Sequence, residues 1–290
     1  MLEPPRPETR HLELHAAEIR LNLMRMIVGK AKGHSGGALS MVEILTALYF
    51  AVMRLDPDHP RHPDRDRFLL SKGHACTALY ATLAQRGYFP ESTLDTYYDL
   101  NSYLGGHPVQ GLPGVELATG SLGHGPPVGL GIAVAAKVDG KKHRVFVLVG
   151  DGEIQEGVVW ESALFAAHHR LDNFVMIIDR NGLQSDAHTE ELLAIEPIQE
   201  KFRSFGWACK TVDGHDLDAL TELLGSVPFE AGKPSLLIAN TVKGKGVDFI
   251  ENVVPYHNIG PRPGTEEAAR ALEQLGRRRK ELAEEGGSGG

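Results

Sequence analysis

Short apolar runs alternate with segments of helical character along most of this chain. The apolar runs are predicted strands, and they lie at "RFLLS" from Arg67 and at residues 144–149, 174–179, 207–212 and 235–241. Helices are predicted between the last four of them. Strands separated by helices pair in parallel, and a parallel sheet needs helices on both faces to bury it. We therefore predict an α/β fold, a parallel sheet with helices on both faces.

Two helices are expected near the start of the chain, separated by the Gly-rich segment "GKAKGHSGGALS". Apolar side chains recur at helical spacing over residues 9–29, which predicts a first helix. A second helix is predicted over 40–54, with Ser40 as its N-cap and Glu43 three positions later, the spacing of a capping box.

Glycine and proline mark the predicted loops and boundaries in the remainder of the chain. The segment from Asn101 to Gly131 is rich in both, which predicts a functional loop rather than a regular element. We expect one main module over residues 1–262, a C-terminal surface helix over 263–285, and a flexible Gly/Ser tail at 286–290.

Composition limits the class of protein. A net charge of −8 argues against a nucleic-acid binder, because no basic excess is available to contact phosphates. The two cysteines stand alone, which argues against a disulfide framework or a zinc site and fits a reducing compartment. No window has the roughly 18 apolar residues of a membrane span. A soluble cytoplasmic protein is expected.

One strand ends on an acid flanked by glycines. In "VFVLVGDGEIQEG", Asp151 follows a buried run, and Asn181 follows the next strand thirty positions later. Ligands bind beyond the carboxyl ends of such strands. A carboxylate and an amide oxygen suit Mg²⁺, and Gly150 and Gly152 let the backbone approach a phosphate. The triplet alone also suits a tight turn capped by Asp151; Asn181 favours a metal-bridged diphosphate.

This spacing resembles the thiamine diphosphate signature, and further blocks extend the resemblance to the transketolase family. They occur in the family's order over residues 15–260 and read "AKGHSGGALSMVEIL", "RFLLSKGHACTALYATL", "GGHPVQGLPGVELATGSLGHG", "GDGEIQEGVVWESALFAAHHRLDNFVMIIDRNGLQ" and "ANTVKGKGVDFIEN". "GHSGG" is similar to the split, two-chain members. The resemblance implies a thiamine diphosphate-binding fold, with Mg²⁺ held by Asp151, Asn181 and the carbonyl of Leu183.

The resemblance also implies the other site residues. The residues that match histidines of the active-site channel are His34, His74, His107 and His257. The residues expected against the cofactor are those of the Gly-rich loop and of the strand end, namely Gly120, Ser121, Leu122, Gly123, His124, Gly150, Asp151, Gly152, Glu153 and Asn181. Glu156 and Glu161 match acids that link two active sites across a dimer interface.

Some positions carry weaker expectations. His124 stands where the family usually has Gln, so its contact is left open, and the loop around His257 departs from the pattern of the long enzymes. Lys243 and Lys245 in "VKGKG" are expected to be solvated loop charges, and Cys76 is expected in the core.

A transketolase active site also needs a pyrimidine-binding module, and only about thirty residues follow His257. We therefore expect the N-terminal subunit of a split transketolase, active only with a separate C-terminal, pyrimidine-binding subunit in an α2β2 assembly. Its activity would be transfer of a two-carbon ketol unit from a ketose phosphate to an aldose, in pentose phosphate metabolism.

Three alternatives stay open at this point. One is a specialised transferase that acts on another sugar or in a secondary pathway. Another is a different enzyme with the same signature, a dehydrogenase alpha subunit or deoxyxylulose phosphate synthase; the loop histidines and the chain length argue against these. The third is a non-catalytic subunit that binds the cofactor as a structural or regulatory ligand.

Overall fold

The computed structural model describes residue 4 and residues 7–287, and its centre is one parallel sheet. The strands are β1 (Arg67–Leu70), β2 (Val145–Gly150), β3 (Phe174–Arg180), β4 (Ala208–Asp213) and β5 (Ser235–Asn240). Their spatial order is β1-β2-β3-β5-β4, and every neighbouring pair is parallel. The predicted α/β fold with a parallel sheet is confirmed.

Ten α-helices lie among the described residues. They are α1 (Thr9–Lys30), α2 (Ser35–Ser40), α3 (Val42–Ala47), α4 (Cys76–Arg86), α5 (Gly125–Val138), α6 (Gly157–His168), α7 (Thr189–Leu192), α8 (Ile198–Ser204), α9 (Leu217–Gly225) and α10 (Glu266–Gly287). A π-helical turn, Leu48–Val52, continues α3. Within the described chain, no helix combines the length and the apolar character needed to cross a bilayer.

The sheet separates two hydrophobic cores, because alternate strand residues face opposite sides. Val147 and Met176 face the core that includes residues of α5, α6 and α8. Leu148 and Ile177 face the larger core, which includes residues of α1, α3, α4 and α9. Cys76 is fully buried in the larger core, as expected. Both faces of the sheet are therefore covered by helices.

The predicted helix over 40–54 is wrong in its start and its cap. Ser40 is the last residue of α2, and its hydroxyl donates to the Gly37 carbonyl and to Asp179. The next helix has Met41 as its N-cap residue, without a side-chain capping bond. The small residues of "SGGALS" allow a short helix that the periodicity did not indicate.

Glu43 makes an ion pair instead of a capping box. Its carboxylate accepts from Arg20 at 2.6 Å, lies 2.9 Å from Nδ1 of His215, and is buried. The Nε2 atom of His215 in turn accepts from the backbone N–H of Val242 at 2.8 Å. Arg20 and Glu43, which are buried, and the half-buried His215 thus connect α1 and α3 to the loop after β5.

The C-terminal helix α10 packs along α1 rather than standing free. Ala268, Ala271 and Leu275 on one face are buried, and Arg279 pairs with Glu18 at 2.7 Å. The tail predicted at 286–290 lies partly outside the described residues, which end at Gly287.

Strand register places the polar strand ends together. Gly150 at the end of β2 pairs with Asp179 of β3, and Arg180 pairs with Asn240 of β5. The residues that follow, Asp151 and Asn181, therefore leave the sheet at the same edge. The chain from Tyr97 to His124 is irregular, as predicted for the Gly/Pro-rich loop, but the predicted end at Gly131 is wrong because residues 125–131 belong to α5.

Candidate functional site

A cavity of about 310 Å³ lies at the carboxyl edge of β2 and β3. The predicted site residues that line it are His34, His74, His107, His257, Gly120, Leu122, Gly150, Asp151, Gly152, Glu153, Asn181 and Leu183. Other residues line it as well, among them Gly37, Lys72, Gln184, Ser185 and Lys243. Segments distant in sequence thus converge on one cavity.

The carboxylate of Asp151 is held on both oxygens. Oδ1 accepts from the backbone N–H of Gly152 at 2.8 Å; Oδ2 accepts from Gly182 N–H at 2.6 Å and from Arg180 Nη1 at 3.0 Å. Burial and the nearby charge of Asp179 raise the pKa of Asp151, while the Gly182 and Arg180 donors oppose that rise. A buried anion beside a second carboxylate gains from a bound cation.

Asn181 is oriented by a carboxylate behind it. Its Nδ2 lies 3.3 Å from Oδ2 of Asp179, and its Oδ1 accepts from Leu183 N–H at 3.2 Å. Burial alone would raise the pKa of Asp179, but Lys72, Ser40 and Thr241 act in the other direction and the pKa is lowered. The buried Asp179 anion thus fixes which end of the Asn181 amide is its acceptor.

Lys243 is a buried residue of the site, and the expectation of a solvated charge is wrong for it. It is 3% exposed, and its ammonium donates to the Leu183 carbonyl at 2.7 Å and lies 2.7 Å from Nδ1 of His257. Burial and the nearby charge of Lys72 lower the pKa of Lys243 to about 8. Lys245, by contrast, lies near the surface, 4.0 Å from Glu251.

Three imidazoles form a cluster in the cavity. The ring centroids of His34 and His74 are 4.9 Å apart, those of His74 and His257 are 5.6 Å apart, and those of His34 and His257 are 5.9 Å apart. Burial is the largest cause of the lowered pKa in all three histidines, and neighbouring histidines and lysines lower the pKa values further. The pKa of His257 falls to about 3. These imidazoles are therefore neutral at pH 7, when each can donate at one nitrogen and accept at the other.

His107 reaches the same cavity from the irregular loop. The hydroxyl of Tyr80 donates to its carbonyl at 2.8 Å. Its ring lies so close to Gly120 that a Cβ built there would meet Cδ2 at 3.1 Å. Glycine at position 120 therefore lets the loop approach the imidazole.

Only part of the predicted Gly-rich loop faces the cavity. Gly120 and Leu122 do, whereas Ser121, Gly123 and His124 do not line it. His124 is exposed at the start of α5, with Nδ1 3.1 Å from the Leu122 carbonyl. In the sequence its position inside "GSLGHG" suggested a cofactor contact; the turn into α5 points it to solvent.

Glu153 stabilises the loops around the cavity. Its carboxylate accepts from the Ser71 hydroxyl, from Gly123 N–H at 2.8 Å and from Gly150 N–H at 2.9 Å. Burial raises its pKa, and these three donors oppose the rise. The residue joins the Gly-rich loop to the end of β2.

Glu156 and Glu161 lie outside the cavity. Both are exposed, Glu156 as the N-cap residue of α6 and Glu161 within that helix. They face solvent near the start of α6, where a second chain could reach them.

Lys72 and Asp179 belong to the site although sequence reasoning did not select them. Lys72 donates to Asp179 and to the Gly37 carbonyl at 2.8 Å, and both charged residues are buried. The sequence feature that could have identified them is an ionisable residue at the end of a predicted strand, in "LLSKGH" and "MIIDRN".

The oxygen atoms in the cavity fit a magnesium ion. The Asp151 carboxylate, the Asn181 amide oxygen and the Leu183 carbonyl are hard ligands of the kind Mg²⁺ prefers. The Leu183 carbonyl already accepts a cationic donor, the ammonium of Lys243. Among residues 7–287, no group of three or more His, Cys, Asp and Glu side chains has metal-binding geometry.

Comparison with known proteins agrees with this geometry. The family model "Transketolase, thiamine diphosphate binding domain" matches residues 13–282. An apulose-4-phosphate transketolase subunit from Actinobacillus succinogenes is 44% identical over 266 residues, which are 91% of this chain and 95% of that protein. The 6-deoxy-6-sulfo-D-fructose transketolase subunit SqwG of a Clostridium species is 41% identical, over 84% of this chain and 90% of that protein.

Solved structures have the same fold. The chain superposes on the transketolase of Campylobacter jejuni with a TM-score of 0.84 and 29% identity, over 95% of this chain and 46% of that one. It thus spans about half the length of that transketolase, whereas it matches nearly the whole of the relatives named as subunits. These findings confirm the resemblance: the chain belongs to the transketolase family of transferases, and it corresponds to the N-terminal, thiamine diphosphate-binding subunit of the split members.

Proposed function

We propose that this chain binds Mg²⁺ and thiamine diphosphate and, together with a separate pyrimidine-binding subunit, transfers a two-carbon ketol unit from a ketose to an aldose. The observation that carries the proposal is the convergence of Asp151, Asn181 and the Leu183 carbonyl with neutral histidines in one cavity. The cofactor would supply the nucleophilic carbon that takes up and returns the two-carbon unit.

Different residues of the chain would bind the metal and the diphosphate. Asp151, Asn181 and Leu183 would hold the metal, and the backbone at Gly150 and Gly152 would lie beside the diphosphate. Lys243 adds a positive charge next to these groups. A diphosphate is strongly anionic, so a buried ammonium beside it favours binding.

The histidines suit substrate hydroxyls. His34, His74 and His257 are neutral at pH 7 because burial lowers their pKa values. A neutral imidazole can accept a hydrogen bond from a sugar hydroxyl at one nitrogen and donate one to a carbonyl oxygen at the other. His107, on the irregular loop, would add a fourth imidazole to the cavity wall that holds the ketol group.

The partner would supply the groups that are not among the described residues of this chain. The exposed Glu156 and Glu161 are proposed to lie in the interface between active sites of an α2β2 assembly. A cytoplasmic location is proposed on the strength of the unpaired cysteines.

Two classes of substrate are proposed, one from the family and one from the names of two relatives. Common pentose phosphates follow from the family; the names of two relatives, for apulose-4-phosphate and for 6-deoxy-6-sulfo-D-fructose, favour specialised ketoses that carry a terminal anion. Both classes share the ketol end that the histidines would contact. The anionic end would be selected on the partner subunit.

Reconstitution tests the proposal. The chain is assayed alone and with the candidate pyrimidine-binding subunit of the same genome, with Mg²⁺, thiamine diphosphate, xylulose 5-phosphate and ribose 5-phosphate. Apulose-4-phosphate and 6-deoxy-6-sulfo-D-fructose then replace the donor. Turnover only in the mixture is expected. Turnover by the chain alone would refute the need for a partner, and a complex that binds cofactor but uses no ketose would favour a non-catalytic role.

A further inference from the structure

Arg180 contacts the proposed metal ligand Asp151 but does not line the cavity. It is the last residue of β3, its side chain is 13% exposed, and it is absent from the residues that line the cavity. Its Nη1 donates to Oδ2 of Asp151 at 3.0 Å. The guanidinium therefore contacts a proposed metal ligand without facing the metal or the diphosphate.

The same guanidinium holds a second part of the chain. Nη1 also donates to the hydroxyl of Thr189, Nη2 donates to Glu190 at 2.9 Å, and Nε donates to Glu196 at 3.2 Å. We call residues 189–196 the clasp segment. Arg180 thus joins the clasp segment to Asp151 through one planar group.

The clasp segment follows closely on the cavity residues Leu183, Gln184 and Ser185. Gln184 Nε2 donates to Gln155 at 2.6 Å, and Gln155 Nε2 donates to the Leu193 carbonyl at 2.8 Å. The segment is therefore bound on one side to the cavity wall and on the other to Arg180. Displacing it would disturb residues that line the site.

The charges around Arg180 keep Asp151 attractive to a cation. A guanidinium alone beside a metal ligand would reduce the negative potential there. Glu190 and Glu196 pair with the same guanidinium, so three carboxylates surround one cation. The cluster keeps a net negative charge, and Arg180 can fix the Asp151 carboxylate without cancelling its charge.

We propose that Arg180 is a positioning residue that couples the metal ligand Asp151 to the clasp segment, so that metal binding and the observed position of the segment stabilise each other. The inference rests on the magnesium assignment of the proposed function. Groups that orient a metal ligand commonly change metal affinity about 10- to 100-fold when removed. Coupling between two sites is reciprocal, so each event should be measurable from the other.

The first test measures metal dependence. Binding of thiamine diphosphate to the full chain is followed by calorimetry over a series of Mg²⁺ concentrations. We expect Arg180→Met to raise the half-saturating Mg²⁺ concentration about 10- to 100-fold. Arg180→Lys should recover only part of this, because one ammonium cannot reach Asp151 and both glutamates together. Arg170→Met, an exposed arginine before the same strand, is the control and should equal wild type.

The second test measures the clasp segment directly. Protease Glu-C cuts after glutamate, and the segment offers it Glu190 and Glu191, whereas Glu196 is protected by the following Pro197. Mg²⁺ with thiamine diphosphate should slow these cuts in the wild type, and Arg180→Met should be cut faster with less protection. Cleavage after the exposed Glu230 provides the internal reference.

The outcomes distinguish failure of the proposed coupling through Arg180 from failure of the magnesium assignment. Unchanged Mg²⁺ dependence in Arg180→Met overturns the coupling, whether or not the segment is cut faster. If Arg180→Met does not fold, Arg180→Lys and Glu196→Gln decide in the same way. A wild type that binds the cofactor equally with and without Mg²⁺, and equally in Asp151→Ala, overturns the magnesium assignment itself.

Discussion

The ammonium of Lys243 donates a 2.7 Å hydrogen bond to the carbonyl oxygen of Leu183. That carbonyl is one of the three proposed magnesium ligands, so a protein cation already lies against the metal site. The lysine is 3% exposed, and burial together with Lys72 lowers its pKa to about 8. It is thus a charged group held next to the place proposed for a divalent ion and a diphosphate.

Lys243→Met should weaken binding of thiamine diphosphate at saturating Mg²⁺ by about tenfold or more, because a hydrogen bond to a charged group contributes about 1.5–3 kcal/mol. Calorimetry of the isolated chain measures this without the partner. Lys245→Met is the matched control, since Lys245 belongs to the same loop but lies near the surface. Equal losses in both variants would assign the effect to the loop rather than to the buried ammonium.

Asp151→Ala should abolish magnesium-dependent binding of the cofactor. The change removes the only carboxylate among the three proposed ligands, and with it the acceptor of Gly182 N–H and one of the acceptors of Arg180. Affinity is measured with Mg²⁺ and with chelator. An affinity equal to wild type would exclude Asp151 as a ligand. Thermal unfolding of the ligand-free chain shows whether the variant is folded.

His107→Ala should leave cofactor binding intact and lower kcat of the reconstituted enzyme about 10²- to 10⁴-fold, the range for loss of a proton-transfer group. The reason is its place in the wall of the cavity that also contains the proposed metal ligands. His168→Ala, at the exposed end of α6, serves as the control. Unaltered turnover in His107→Ala would remove it from the channel.

The sequence predicted the sheet and most of the cavity, because both depend on patterns that the chain carries locally. Apolar runs marked the five strands, and strand ends marked Asp151 and Asn181. It could not place Lys243, since a lysine in a Gly-containing loop such as "VKGKG" has the same local pattern in solvent as in a buried loop. Its burial follows from α2 and the turn before His257, which pack on it from elsewhere.

Ser40 and Glu43 are a second case in which local sequence did not predict the contacts of a side chain. Their spacing matches a capping box, yet both bind partners distant in sequence: the Ser40 hydroxyl donates to Asp179, and the Glu43 carboxylate accepts from Arg20. A local motif predicts a cap only where no buried partner competes for the same group.

Glu43 should make stability depend on pH. Burial alone would raise its pKa, but Arg20 and His215 prevail and lower it from 4.5 to about 2. Because the folded pKa lies below the unfolded one, the stabilisation is present above pH 4.5 and is lost as the pH falls toward 2. It amounts to roughly 3 kcal/mol.

Urea unfolding of wild type and Glu43→Gln checks this. At pH 7 the variant should be less stable by about 3–5 kcal/mol, the usual cost of removing one partner of a buried ion pair. The difference should shrink as the pH falls below 4.5, the ordinary pKa of the group. A difference that stays constant with pH would show that packing, not charge, accounts for the loss.

Two glycines of α5 should respond in opposite directions to the same substitution. A Cβ on Gly129 would meet Val147 at 2.6 Å and Phe174 at 3.0 Å, where the helix lies on the sheet, whereas one on Gly131 meets nothing within 4 Å. Gly129→Ala should therefore destabilise the fold by about 1–3 kcal/mol. Gly131→Ala should stabilise it by about 0.5–1 kcal/mol, because alanine favours an exposed helix. Urea midpoints compare them, and a shift of the same sign in both would show that helix propensity, not the close approach of α5 to β2 and β3, governs this face.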